Sequence, residues 1–195
     1  MIKIIKNDKI RSHITLDLAE LEICYKNNCY KSVVILSCGI IESILYDIVS
    51  NTSRLKSKIE NFEKRNIGLE ELIKLSKSEN LLNENTILII NKIREYRNTI
   101  HPNSYIRTDL SISENIAEIA NACVKEIFKN LAKIQENELE KDSDYIIKNF
   151  FKSEFNRLPT ESELTIFSPI IGKYNKEKGL LIIARSINFI NAKRK

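Results

Sequence analysis

Residues 30–50 read Tyr30-Lys31-Ser32-Val33-Val34-Ile35-Leu36-Ser37-Cys38-Gly39-Ile40-Ile41-Glu42-Ser43-Ile44-Leu45-Tyr46-Asp47-Ile48-Val49-Ser50. The apolar residues Val33, Val34, Ile35, Leu36, Cys38, Ile40, Ile41, Ile44, Leu45, Ile48 and Val49 are too dense for a one-faced amphipathic helix. A helix so composed must be covered on more than one face. The stretch therefore predicts the central member of a helical bundle. Gly39 interrupts it at modest cost and admits a close neighbour. Glu42 places a carboxylate mid-helix, where charges are rare without partners. Either it pairs with an arginine from another helix, Arg94 or Arg97, or it marks the one exposed edge.

Outward from this helix the chain reads as helical throughout. Of 195 residues only four are Gly and three Pro, too few for a turn-rich β protein, so the expected class is all-α, an up-and-down helical bundle. Ile14, Leu18, Leu21 and Tyr25 predict a first helix over 14–28. Shorter pieces follow at 53–65 and 68–78, broken at Asn66-Ile67-Gly68, then a helix over 84–101 and a loop over 102–111. Ser111 and Glu114 have capping-box spacing and open a long helix to about residue 140. Its interior stripe is Ile116, Ile119, Ala120, Cys123, Ile127, Leu131 and Ile134. Lys141-Asp142-Ser143 reads as a hinge into helices near 144–156, 161–172 and 177–191. Thr160 and Glu163 again have capping-box spacing. Phe150, Phe151, Phe155, Leu164, Phe167, Ile171, Leu181, Ile182 and Ile183 supply a small satellite core. The expected domains are a bundle over 1–140 and a basic helical extension over 141–195.

The net charge is +5, and residues 173–195 hold more than all of it: Lys173, Lys176, Lys178, Arg185, Lys193, Arg194 and Lys195 stand against Glu177 alone. Such a tail either attracts phosphate backbones or is a solvated helix end. Cys24, Cys29, Cys38 and Cys123 form no CxxC pair and have no nearby histidine, so no metal or other cofactor is expected. Cys24, Cys38 and Cys123 fall in apolar surroundings and read as small core residues in a reducing compartment. The N-terminus lacks the apolar run of a signal peptide, and no apolar stretch is read as reaching the ~20 residues that cross a bilayer. The expectation is a soluble cytoplasmic protein with no membrane partner.

The stretch richest in chemistry is Ile93-Arg94-Glu95-Tyr96-Arg97-Asn98-Thr99-Ile100-His101-Pro102. If the helix runs through residue 101, Arg94 and His101 lie two turns apart and about 20° from one another. Arg97 and Asn98 share that polar face, while Ile89, Ile93, Tyr96 and Ile100 line the adjoining core face. Pro102 disfavours α geometry at His101 and places the imidazole in the last turn, where the helix dipole favours imidazolium and the arginines oppose it. An imidazole titrating near neutrality suits acid–base chemistry. His13, isolated among polar residues, reads as structural or exposed.

Arg94 and His101, separated by six residues, resemble the R-x(4-6)-H motif of HEPN domains, and Ile-Arg-x-Tyr-Arg-Asn-x-Ile-His-Pro is similar to the wording of many bacterial members. The resemblance implies a toxin or antiphage-defence endoribonuclease that cleaves RNA without a metal, at a site formed by the Arg and His of two subunits in a homodimer. It makes Arg94 and His101 catalytic. Arg97, Asn98 and Arg107 become substrate contacts, with Glu42, Glu95 and Tyr105 in support. Either Arg94 or Arg97 can be the phosphate clamp, because Arg97-Asn98 has the family's Arg-polar pair and Arg94 the family's spacing. A non-catalytic module binding nucleotide, nucleic acid or protein is the alternative. HEPN toxins paired with a nucleotidyltransferase antitoxin carry a modified tyrosine two positions after the His; the nearest here, Tyr105, is four positions on. Phe151-x(3)-Phe155-x-Arg157-Leu158-Pro159-Thr160-x-x-Glu163-Leu164, with Lys173-Tyr174, resembles the helical C-terminal domain of the replication protein DnaD, which implies a DNA-binding appendage.

Overall fold

A computed structural model describes residues 4–100, 102–107, 111–174 and 176–193. These residues form an all-α helical bundle, with no strand among them. The helices are α1 (Asp8–Lys26), α2 (Tyr30–Ser50), α3 (Ser53–Lys56), α4 (Leu69–Ser78), α5 (Glu84–Asn98), α6 (Pro102–Arg107), α7 (Glu114–Phe155), α8 (Glu161–Lys173) and α9 (Lys176–Lys193), with a 3-10 turn at Phe62–Lys64. The chain divides into two compact units, residues 1–51 with 59–134, and residues 52–58 with 135–195.

In the first unit α2 is the core helix. Val33, Val34, Ile40, Ile41, Ile44, Leu45 and Val49 are completely buried. The helix is 21 residues long and apolar enough to cross a bilayer, contrary to the sequence reading, but most of its surface is covered by protein. α1 begins at Asp8, earlier than its apolar repeat predicts, because the Asn7 side chain caps it by accepting from the Lys9 and Ile10 N–H groups (3.0 and 3.2 Å). It ends at Lys26, and Asn28 takes a positive φ of 58° before α2 starts. The short connection makes α1 and α2 antiparallel neighbours. Their far ends are tied by Asp47, a completely buried carboxylate that accepts from the backbone N–H groups of Lys6 (3.0 Å) and Asn7 (2.9 Å).

Residues 53–65 are not one helix: a four-residue α3 and the 3-10 turn take their place, separated by Asn61 at a φ of 54°. α4 buries Leu69, Leu72, Ile73 and Leu75. α5 buries Ile87, Ile90 and Ile93. Its core stripe is thus rotated from the one expected, leaving Ile89 38% exposed. α7 opens at Glu114, where the Ala117 N–H bonds the Ser113 carbonyl (3.1 Å), so Ser111 is not its cap. Of its expected stripe, Ala120, Cys123, Ile127, Leu131 and Ile134 are buried and Ile119 is exposed.

The expected hinge at 141–143 is helical, since α7 runs unbroken through it. Its polar residues are all accommodated there. Asp142 accepts from the Arg54 N–H (2.7 Å), the Ser143 hydroxyl donates to the Leu139 carbonyl (2.8 Å), and Lys141 pairs with Glu138 (2.7 Å). The second unit's core is Ile146, Ile147, Phe151, Phe167, Ile171, Ile183 and Ile187. Phe150, Phe155 and Leu164 pack at its edge, whereas Leu181 is 52% exposed. Gly179 admits the close approach of α9 to α8: a Cβ there would lie 2.7 Å from Ile171 Cδ1 and 3.3 Å from Ile171 Cα, and Ile171 would have to shift.

The capping box of α8 forms as its spacing predicts. Thr160 Oγ1 accepts from the Glu163 N–H (3.2 Å), and Glu163 accepts from the Thr160 N–H (2.8 Å). Arg157 adds a bidentate bond to the same carboxylate (2.6 and 2.8 Å) and lies over the Phe151 ring. The arginine foremost, then the Thr160 bonds, hold the Glu163 carboxyl down at about 2, with burial opposing. A depressed carboxyl stabilises the fold above its unfolded value of 4.5, and that contribution disappears as pH falls through 2. Because Arg157 is largely exposed and screened by solvent, the contribution is about 1 kcal/mol. The second unit should lose this amount between pH 4.5 and 2, and Glu163→Gln should flatten that limb in urea titrations followed by circular dichroism.

Candidate functional site

The candidate site lies at the C-terminal end of α5. Asn83 starts this helix by accepting from the Thr86 N–H (2.8 Å). The helix stops at Asn98, not at residue 101. Thr99 is its C-cap: the N–H bonds the Glu95 and Tyr96 carbonyls (3.3 and 3.1 Å), and the hydroxyl donates to the Tyr96 carbonyl (2.7 Å). α6 begins at Pro102, where a missing N–H costs nothing, so the expected loop over 102–111 is helical as far as Arg107. The common helical face expected for Arg94 and His101 needed an unbroken helix, and α5 does not supply it. His101 itself lies outside the described residues, as does the side chain of Tyr105.

Arg94 is 23% exposed, and its Nη1 donates to Glu70 Oε2 of α4 at 3.0 Å. Its Nε is buried with no hydrogen-bond partner among the described residues. Glu70 also binds Lys74 (2.8 Å), and Lys74 first, then Arg94, hold its carboxyl below the ordinary value. Glu95, expected to support the site, pairs with Lys92 (2.7 Å). Arg97 and Asn98 are exposed, and their side chains have no hydrogen-bond or ion-pair partner among the described residues. Arg107 is exposed on α6.

Glu42 is half-buried, one turn beyond Cys38 on α2. Burial pushes the Cys38 thiol up to about 12, against the pull of Arg97 and Arg94 and with the added push of Glu42. The thiol thus has Glu42, Arg94 and Arg97 in its electrostatic surroundings, which joins the middle of α2 to the end of α5. The carboxylate that engages Arg94 directly is nevertheless Glu70. The sequence offered one hint of it, since Glu70 and Lys74 are spaced as an exposed helical pair. Nothing in the sequence sets α4 against α5. Cys123 is likewise raised by burial, to about 11. Both thiols stay protonated at neutral pH, as core residues should.

His13 is 63% exposed and sits 3.4 Å from Asp17, one turn along α1. Among the described residues no three His, Cys, Asp or Glu side chains converge as metal ligands would. The chain matches no known family model, no curated protein and no solved structure.

Proposed function

We propose that this chain is a HEPN-type endoribonuclease that cleaves RNA in the cytoplasm as a homodimer, without a metal. The observation that carries the reading is the end of α5, where the exposed side chains of Arg97 and Asn98 have no partner among the described residues and follow a half-buried Arg94. Guanidinium forks match phosphate oxygens, and arginine keeps its charge at any working pH. In the proposed reaction the RNA supplies the nucleophile. Its 2′-OH loses a proton to a base and attacks the adjacent phosphorus. The pentacoordinate phosphorane gathers negative charge on its oxygens, which an arginine offsets. The bond to the 5′-oxygen breaks as that oxygen takes a proton, leaving a 2′,3′-cyclic phosphate and a 5′-OH. His101 is the residue for proton transfer. One imidazole cannot easily serve both ends of an in-line displacement, whereas a symmetric dimer brings two. A nucleotidyltransferase-type antitoxin is the partner this reading implies.

The test is total RNA incubated with the chain in excess chelator. Cleavage should persist in the wild type and fall at least ~100-fold in Arg94→Ala and in His101→Ala. Folded His101→Ala protein that cuts as fast as the wild type would reject the assignment. Arg97→Ala decides which arginine is the clamp. The bond between Arg94 and Glu70 supports a second reading, a module that binds RNA or nucleotide through Arg97 and Asn98 without turnover. In that case affinity falls in Arg97→Ala while no cleavage is seen in any variant.

A further inference from the structure

α1 and the N-terminal part of α7 enclose a cavity of about 610 Å³, lined by Leu18, Leu21, Glu22, Tyr25 and Lys26 from one helix and by Asn121, Val124, Lys125 and Phe128 from the other. Its floor is apolar: Leu21, Val124 and Phe128 are buried, and Leu18 and Tyr25 half-buried. Its rim is cationic. Glu22 is bound by Lys26 at 2.7 Å, and Lys26 first and Lys125 more weakly pull its carboxyl down, so the rim sets two ammonium groups against one carboxylate. Lys125 is exposed and has no ion-pair partner among the described residues. The Asn121 amide, one turn back on the same face of α7, likewise has no partner among them.

We propose that this trough binds an amphipathic anion, a carboxylate on an unbranched alkyl chain. The chemistry of the walls selects each half of the ligand. The floor removes methylene groups from water, and Leu18, Leu21, Tyr25, Val124 and Phe128 offer that part no hydrogen bond beyond the tyrosine hydroxyl. The head group faces two donors with no partner among the described residues, the Lys125 ammonium and the Asn121 carboxamide, in a rim with one more cation than anion. A cationic head group would meet Lys125 and Lys26 unfavourably, and a neutral one would leave the spare charge unanswered. From Leu18 to Lys26 the trough follows about 12 Å of helix, which suits a chain of about ten carbons. The lining lies on α1 and α7, so the proposal is independent of the chemistry assigned to α5.

The test is isothermal titration of the full-length chain with hexanoate, octanoate and decanoate below their micellar concentrations, and with decyltrimethylammonium as the head-group control. Decanoate should bind saturably, one per chain. Affinity should rise about fourfold per methylene along the series, and decyltrimethylammonium should bind at least ~10-fold more weakly. Lys125→Glu should weaken decanoate about 10-fold, whereas Lys125→Arg should retain it. Leu18→Trp, which fills the trough, should abolish binding at an unchanged thermal midpoint. Equal affinity for the two head groups, indifference to Lys125→Glu, or no saturable decanoate binding would each overturn the proposal.

Discussion

Replacing Arg54 by methionine is expected to destabilise the second unit by about 3–5 kcal/mol, and a simultaneous Glu138→Leu change is expected to restore most of that loss. Arg54 stands in α3, a four-residue helix too short to be stable by itself. Its guanidinium binds Glu138, and the two side chains are only 15% and 3% exposed. Without Arg54, the Glu138 carboxylate keeps its ion pair with Lys141, and that lysine is 46% exposed. The cost is that of an undercompensated buried charge, not the value of an ion pair. The double variant should recover because two apolar side chains of similar bulk need no desolvation offset. Urea unfolding of the wild type, both single variants and the double variant closes the cycle. If Arg54→Met alone were neutral, water would have to reach Glu138, and the pair would be a surface contact. The N–H of Arg54 still bonds Asp142 in every variant, so α3 keeps one anchor on α7 and the comparison isolates the charge.

This pair was invisible in the sequence for a definable reason. Arg54 and Glu138 are 84 residues apart and lie in segments that each read only as helical. Local patterns carry the period of a helix but not the phase in which it docks. The apolar density of residues 30–50 was enough to mark α2 as the central helix, since no rotation of that segment exposes little. α5 is the opposite case. Its isoleucines occupy positions 87, 89, 90 and 93, so either of two stripes was open, and packing selected Ile87, Ile90 and Ile93. The predicted break at Lys141-Asp142-Ser143 failed similarly, because polar residues suggest a boundary only while their partners are unknown. At the candidate site, Arg97 and Asn98 were legible as part of a polar helical face. The Arg94–Glu70 bond was not, because it depends on how α4 meets α5. Thr99 was the overlooked local signal: a hydroxyl able to turn back onto Tyr96, two residues before the pre-proline position, is a stop for α5.

Asp47 was passed over in favour of Glu42, and its replacement is the clearest test of what holds the N-terminal segment. The carboxylate is completely buried and accepts from three donors, the Lys6 and Asn7 N–H groups and the Asn51 side-chain amide (3.1 Å). Hydrogen bonds to a charged group contribute about 1.5–3 kcal/mol each when their loss strands a buried partner. Part of that loss is recovered by water at the chain end, so Asp47→Ala should cost about 3 kcal/mol in urea unfolding. Asp47→Asn is the informative companion. It retains the shape and one acceptor oxygen but turns an N–H₂ group toward a donor, so it should lose at least half as much. Site-resolved hydrogen exchange separates local from global effects. If Asp47 serves as the clasp between the start of α1 and the end of α2, the Lys6 and Asn7 amides should lose about 100-fold protection in Asp47→Ala. The amides of Ile40 and Ile41 should fall only with global stability. Equal loss at all four would mean that Asp47 supports the α2 core as a whole and that the clasp is incidental.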